Sequence, residues 1–195
     1  MRDPLVLRGS GVAANAFRLT VLAWVLGEVY IQLRGRADRR LDDWTYFAVV
    51  GSFVAGSVLA VMAGQSDALA VSERAAWPVV VGLALIWAGL ALRLWAFHTL
   101  GHMFKVRIEI QPGHRVVQDG PYRFLRHPSY TGSLVSLLGL GVALGSLLSV
   151  AAAVLIPAAG FVVRIEHEER QLREALGERY ERYAERTRRL IPGVW

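Results

Sequence analysis

PSYTGSLVSLLGLGVALGSLLSVAAAVLIPAAGFVV, residues 128 to 163, runs for 36 positions without an Asp, Glu, Lys, Arg or His. A single helix of that length would extend about 54 Å, against a hydrocarbon core of roughly 30 Å. The run therefore has to fold back on itself. GLGVALGSLLS near its middle marks the bend and predicts a helical hairpin, one arm over about 130–145 and the other over about 147–163. Gly139, Gly141, Ala143 and Gly145 are small enough to let two helices approach closely.

The rest of the chain agrees with a bilayer setting. Its 195 residues are 54% hydrophobic, more than a soluble domain of this size usually carries. Trp44 to Ser66 and Ala75 to Leu92 each hold 18 or more residues without a charge, enough to span. The segment from about Gly11 to Leu33 is interrupted by Arg18 and Glu28, which have to snorkel or face the bundle interior. The expectation is an all-α integral membrane bundle of about five transmembrane helices. Spans at about 11–33, 44–66 and 76–97 make an N-terminal part (1–97). The hairpin 129–163 and a C-terminal helix belong to a second part (98–195). The N-terminus shows no clear signal-peptide cleavage pattern, so the first span is expected to remain.

Lys and Arg set the expected orientation. The segments around 34–40, 101–128 and 164–195 carry seventeen, whereas the opposite side carries only Arg2, Arg8 and Arg74. That asymmetry puts the N-terminus outside and the polar loops and tail in the cytoplasm. The formal net charge of +6 is then explained by contact with anionic headgroups and requires no nucleic acid. The absence of cysteine excludes disulfides, thiolate nucleophiles and Cys-ligated metal centres.

Ionisable residues without an evident structural task collect in two places, 98–132 and RIEHEERQL at 164–172. In the first, KVRIEI (105–110) alternates as an extended segment does, and PGH and DGPY punctuate it as turns. HRVVQ (114–118) between the turns reads as an extended strip whose backbone groups are free to meet a ligand. His127 precedes Pro128, which suits the first turn of a helix. His127, Ser129 and Tyr130 thus stand at a helix N-terminus, where amide donors and the dipole favour anions. Taken by themselves they also fit a plain interfacial cap. In the second place, Arg164 and Glu168 share a helix face one turn apart, and a cation beside an acid at a cavity mouth suits a ligand of both signs. Leu172, Leu176, Tyr180 and Tyr183 recur at helical spacing and predict an amphipathic helix over 165–184, with Gly177 as a possible break. Arg93 and His98 flank Trp95 and Phe97 late in the third span, where interfacial snorkelling is the expected role and lining a ligand's entrance the alternative.

HRVVQDGPYRFLRHPSYTG, a short hairpin, RIEHEERQL, LGERYERY and RLIPGVW, in that order, resemble the isoprenylcysteine carboxyl methyltransferase family of integral membrane enzymes, its bacterial branch in particular. The likeness covers about residues 98 to 195. It implies a bundle with a cytoplasmic cofactor-binding region for S-adenosyl-L-methionine and a lipophilic acceptor arriving from the lipid. It assigns cofactor contacts to His114, Arg115, Val116, Val117, Tyr122, His127, Pro128, Ser129, Tyr130 and Glu168, and acceptor positioning to Arg164, with no metal. It also implies a carboxyl O-methyltransferase in the inner membrane of a prokaryote. One departure stands out: a glutamine that eukaryotic members place seven residues before the motif histidine is Arg107 here, with Gln111 nearby. Methylation of a phospholipid amine or small thiol, with His127 or Glu169 taking the proton, remains an alternative at this stage. So do a sterol-type NADPH-dependent reductase and a scaffold without catalysis.

Overall fold

The computed structural model describes residues 11–34, 44–66, 69–71, 76–101 and 116–193. Six α-helices appear there: α1 (Val12–Arg34), α2 (Trp44–Gly64), α3 (Trp77–Leu100), α4 (Pro128–Ala143), α5 (Leu147–Leu176) and α6 (Glu178–Arg186). α1, α2, α3 and α5 are long and apolar enough to cross a membrane. At 16 residues, α4 extends only about 24 Å, so it is a short fifth arm packed within the bundle. The chain is an all-helical integral membrane protein, as its composition requires, and the exposed Leu, Val, Phe and Trp side chains of α1 and α2 form its lipid-facing surface.

The helices contact one another in the order α1, α3, α4, α5, α2. Their shared core is built on Phe17, Trp24, Ala60, Ile86, Leu90, Leu137 and Leu140. A smaller cluster of Phe161, Ile165 and Leu190, with Tyr130 against it, lies beside the polar region.

The hairpin bends where expected, at residues 144–146, but its small residues serve two different partners. Gly141 faces the other arm: a Cβ there would lie 2.6 Å from the Val150 Cα. Gly139 and Ala143 instead face α3. A Cβ on Gly82 would stand 2.6 Å from both the Ala143 Cβ and the Gly139 carbonyl oxygen, and one on Gly132 would stand 2.6 Å from the Gly89 carbonyl oxygen. Gly82 meets Gly139 and Gly89 meets Gly132, so α3 and α4 run antiparallel with their backbones almost touching. In lipid there is little hydrophobic gain in joining two helices, and close van der Waals packing of this kind takes its place.

Two sequence expectations need correction. The second arm does not stop at 163. α5 continues unbroken to Leu176, about 45 Å in all, because nothing between Val163 and Leu176 ends a helix. The expected helix over 165–184 is therefore the end of α5 plus α6, and the break expected at Gly177 is there, with a φ of 53° that glycine accepts. Arg93 does not snorkel: it is buried, and its Nη2 pairs with Glu28 of α1 at 2.8 Å. Glu28 accordingly turns inward, while Arg18 and His98 are exposed. The extended segment expected over 105–110 lies outside the described residues.

Gly132→Val drives a branched side chain into the α3 backbone and is expected to destabilise the protein by at least about 1–3 kcal/mol. Gly51→Ala, at a position with open space around it, should be neutral or slightly stabilising. Thermal unfolding in detergent compares the two.

Candidate functional site

The site is built around the first turn of α4. Pro128 occupies the first helical position and His127 is the cap residue, with backbone angles outside the helical range. What holds His127 in that place comes from the far end of the chain. The Arg126 amide donates to the Arg188 carbonyl at 2.7 Å, the His127 amide to Arg189 at 3.0 Å, and the Arg188 amide to Phe124 at 3.1 Å. The Thr131 hydroxyl adds a bond to the Leu190 carbonyl at 2.8 Å. The C-terminal segment thus lies alongside residues 124–127 like a parallel strand and fixes the loop that precedes α4.

From this turn the side chains reach α5. The Tyr130 hydroxyl donates to Glu168 Oε1 at 2.9 Å, and Arg164 Nε donates to the same oxygen at 3.1 Å. His127 Nδ1 stands 3.5 Å from Glu168 Oε2, and its Nε2 3.3 Å from Glu169 Oε1. Arg164, 1% exposed, is anchored by an Nη1 bond to the Thr45 hydroxyl of α2 at 2.7 Å. Tyr130 is stacked between His127 and Phe161, at centroid separations of 5.6 and 4.9 Å. Its hydroxyl is the group that reaches Glu168.

Glu169, the second acid of the pair, has a different task. Its carboxylate is wholly buried and receives Arg126 Nε at 2.8 Å, Arg173 Nη2 at 3.0 Å and Arg189 Nη2 at 3.1 Å. These guanidinium groups come from the loop before α4, from α5 and from the C-terminal segment. Encircled in this way, Glu169 ties three segments together and has little freedom to act as a base. Glu168, by contrast, keeps partial exposure at the node formed with His127, Tyr130 and Arg164.

Burial works against a charged imidazole at His127, but hydrogen bonds to Glu168 and Glu169 outweigh it and hold its pKa above the ordinary value. Tyr122, in the short 3-10 turn Gly120–Arg123, is pushed well above the usual phenol range. Burial is the main cause, with Tyr183, Glu168 and Tyr130 adding to it and Arg93 opposing. Tyr122 therefore stays a neutral hydroxyl. Its backbone carbonyl accepts a bond from the Tyr183 hydroxyl at 2.8 Å, which docks α6 on the turn.

Of the residues singled out from sequence, Pro128 starts the central turn, His127, Tyr130, Arg164 and Glu168 meet beside it, and the Ser129 hydroxyl turns instead to Arg93 of α3. Tyr122 is coupled to them electrostatically. Val116 and Val117 are half-buried and irregular, and among the described residues neither they nor Gln118 make a backbone–backbone hydrogen bond outside helices. Val116 and Gln118 line a groove of about 320 Å³ with Leu176, Arg179, Arg182, Tyr183 and Arg186. His114 and Arg115 lie outside the described residues, as do Arg107 and Gln111. Sequence reasoning missed Thr45, Arg126 and Arg189, and left Glu169 without a structural part. Thr45 carries no signal in a run of apolar residues. The arginines were absorbed into a count of cytoplasmic charge.

The model of the isoprenylcysteine carboxyl methyltransferase family matches residues 80–174. A rice (Oryza sativa subsp. indica) protein named "Probable protein-S-isoprenylcysteine O-methyltransferase" is 31% identical over 172 residues, 86% of this chain and 90% of the rice protein. Protein-S-isoprenylcysteine O-methyltransferase B of Arabidopsis thaliana is 34% identical over 120 residues, covering 60% of this chain and 61% of that protein.

The raised pKa of His127 has a pH signature. The stabilisation it contributes is complete below its unfolded value of about 6.5 and is lost as pH rises through the higher folded value. The unfolding midpoint of the wild type in detergent should fall over that alkaline window, and His127→Gln should remove that part of the fall.

Proposed function

The chain belongs to the isoprenylcysteine carboxyl methyltransferase family, and we propose that it moves the methyl group of S-adenosyl-L-methionine to the carboxylate of a lipophilic, isoprenylcysteine-like acceptor. The observation that carries this reading is the meeting of His127 and Glu168, from two separate sequence motifs, at 3.5 Å on a partly exposed carboxylate. The chemistry of the donor set fits the cofactor. An acid, a phenol and an imidazole at one node suit an ammonium and ribose hydroxyls, and the backbone of Val116–Gln118, which makes no backbone–backbone bond among the described residues, suits a flat polar ring. His127, Ser129, Tyr130 and Glu168, with Tyr122 and the strip through His114, Arg115, Val116 and Val117, are the residues proposed to hold it. When bound, the cofactor supplies a methyl group activated by a sulfonium centre.

The acceptor carboxylate is anionic at neutral pH, so the protein has no proton to remove. Arg164 is proposed to orient it. The guanidinium is rigid, forked and already fixed by Thr45 and Glu168. Glu168 has two roles, orienting Arg164 on one side and receiving the methyl donor on the other. The stacked rings of Tyr130 and Phe161 lie against the node on one side. Most of the rate then comes from alignment, where well-oriented groups are worth about 7–11 kcal/mol.

The oxygen acceptor is favoured over an amine or thiol by Glu169, which is bound by three arginines and poorly placed to accept a proton. The orientation that follows from the arginine distribution puts the node at the cytoplasmic end of the helices, in what is proposed to be the inner membrane of a prokaryote. The acceptor reaches it from the lipid phase.

Purified protein should bind S-adenosylhomocysteine, and Glu168→Gln should weaken that binding about 10- to 100-fold, the value of a charge-assisted hydrogen bond. Arg164→Lys keeps the charge but loses the fork. It should raise KM for N-acetyl-S-farnesylcysteine, with binding of S-adenosylhomocysteine little changed. Calorimetry and a methyl-transfer assay read the two effects. Binding of NADPH in place of the nucleoside would support the reductase and end this reading.

A further inference from the structure

Glu28 and Arg93 form a second ion pair, between α1 and α3, with Arg93 reaching a different face of α4 from the one that meets Glu168. Their side chains are 16% and 10% exposed, and both belong to helices long and apolar enough to cross a membrane. Charges at such positions are costly to bury. A pair kept for stability alone is a poor bargain, because an apolar pair of the same volume usually does as well.

What distinguishes the pair is the other end of the guanidinium. Arg93 Nη1 donates to the Ser129 carbonyl at 3.2 Å, the Ser129 hydroxyl at 3.0 Å and the Ser133 hydroxyl at 2.6 Å. All three acceptors belong to the first turns of α4, and Ser129 stands between His127 and Tyr130. The reach is short because α3 and α4 almost touch there: a Cβ on Gly132 would lie 3.0 Å from the Arg93 amide nitrogen. Glu28 fixes Nη2, which aims Nη1 along α4. The turn carrying His127 and Tyr130 is thus gripped from α3 by Arg93 and from α5 by Glu168.

We propose that Glu28 and Arg93 are positioning residues for methyl transfer, setting the first turn of α4 so that His127 and Tyr130 meet Glu168 in the productive geometry. The inference rests on the methyltransferase reading given above. It also brings α1, where the sequence resemblance has little to say, into the working of the site. Neither residue needs to touch the methyl donor or the acceptor. Misplacement of a reacting group by about 1 Å costs on the order of 100-fold in rate, so a loosened turn would be felt in turnover before binding.

The test uses full-length protein in detergent, with S-adenosylmethionine and N-acetyl-S-farnesylcysteine as substrates. Arg93→Lys retains the charge beside Glu28 but not the fork toward α4, and Ser133→Ala removes the shortest of the three bonds at a small residue. Both are expected to lower kcat about 10- to 100-fold while KM for the methyl donor changes less than about threefold. Glu28→Gln should act in the same direction. A second readout is independent of activity: the His127 imidazole, followed by NMR with labelled histidine, should titrate at lower pH in Arg93→Lys and Ser133→Ala as its contact with Glu168 loosens. Loss of thermal stability with kcat and the His127 midpoint both unchanged would overturn the proposal. Should the wild type transfer no methyl group, the functional reading fails, and the His127 titration still decides whether Arg93 positions the turn.

Discussion

The whole arrangement depends on a carboxylate that water does not reach. Glu169 is buried on α5, less than two turns beyond an uncharged run, and a buried charge has to be surrounded by partners that satisfy it. Arg126, Arg173 and Arg189 do so from three segments. Bringing them to one point forces the C-terminal segment onto the loop before α4, and the backbone bonds between 124–127 and 188–189 follow from that approach. His127 is located by this clamp before it makes any contact of its own with Glu168.

A second constraint comes from the helices. The glycines of α3 and α4 remove the side chains that would hold the two backbones apart, and this closeness allows Arg93 to reach two serines on the neighbouring helix. Small residues at one level of the interface therefore decide where a long charged residue can act one turn away. Together the clamp and the close packing leave the first turn of α4 with little freedom. Such rigidity suits a reaction whose barrier is lowered mainly by alignment.

The division of labour between two adjacent acids follows from the helix period. Glu168 and Glu169 point about 100° apart on α5, so one faces the Arg164–Tyr130 node while the other faces the arginine cluster. Glu168 keeps partial exposure at the node, and Glu169, with none, ties the surrounding segments together. Tyr130 shows the same economy: its ring completes a stack with His127 and Phe161, and its hydroxyl alone serves the node.

The apolar runs, their lengths and the charge asymmetry were sufficient to establish a helical membrane protein with a bent hairpin, since hydrophobic length and Lys/Arg placement are properties of local sequence. The motif residues His127, Tyr130, Arg164 and Glu168 were also legible there, because two polar motifs bracket one apolar run and the family resemblance joins them, although His127 and Tyr130 by themselves also fit an interfacial cap. The tertiary structure alone decided that Arg93 turns inward to Glu28, that Gly139 serves α3 while Gly141 serves α5, and that Glu169 is a structural anchor. Each of these depends on which helix stands opposite. In a bundle held by close packing and buried charge pairs, the partner of a residue lies far away in the chain, and periodicity along one helix gives a face but not the neighbour that fills it.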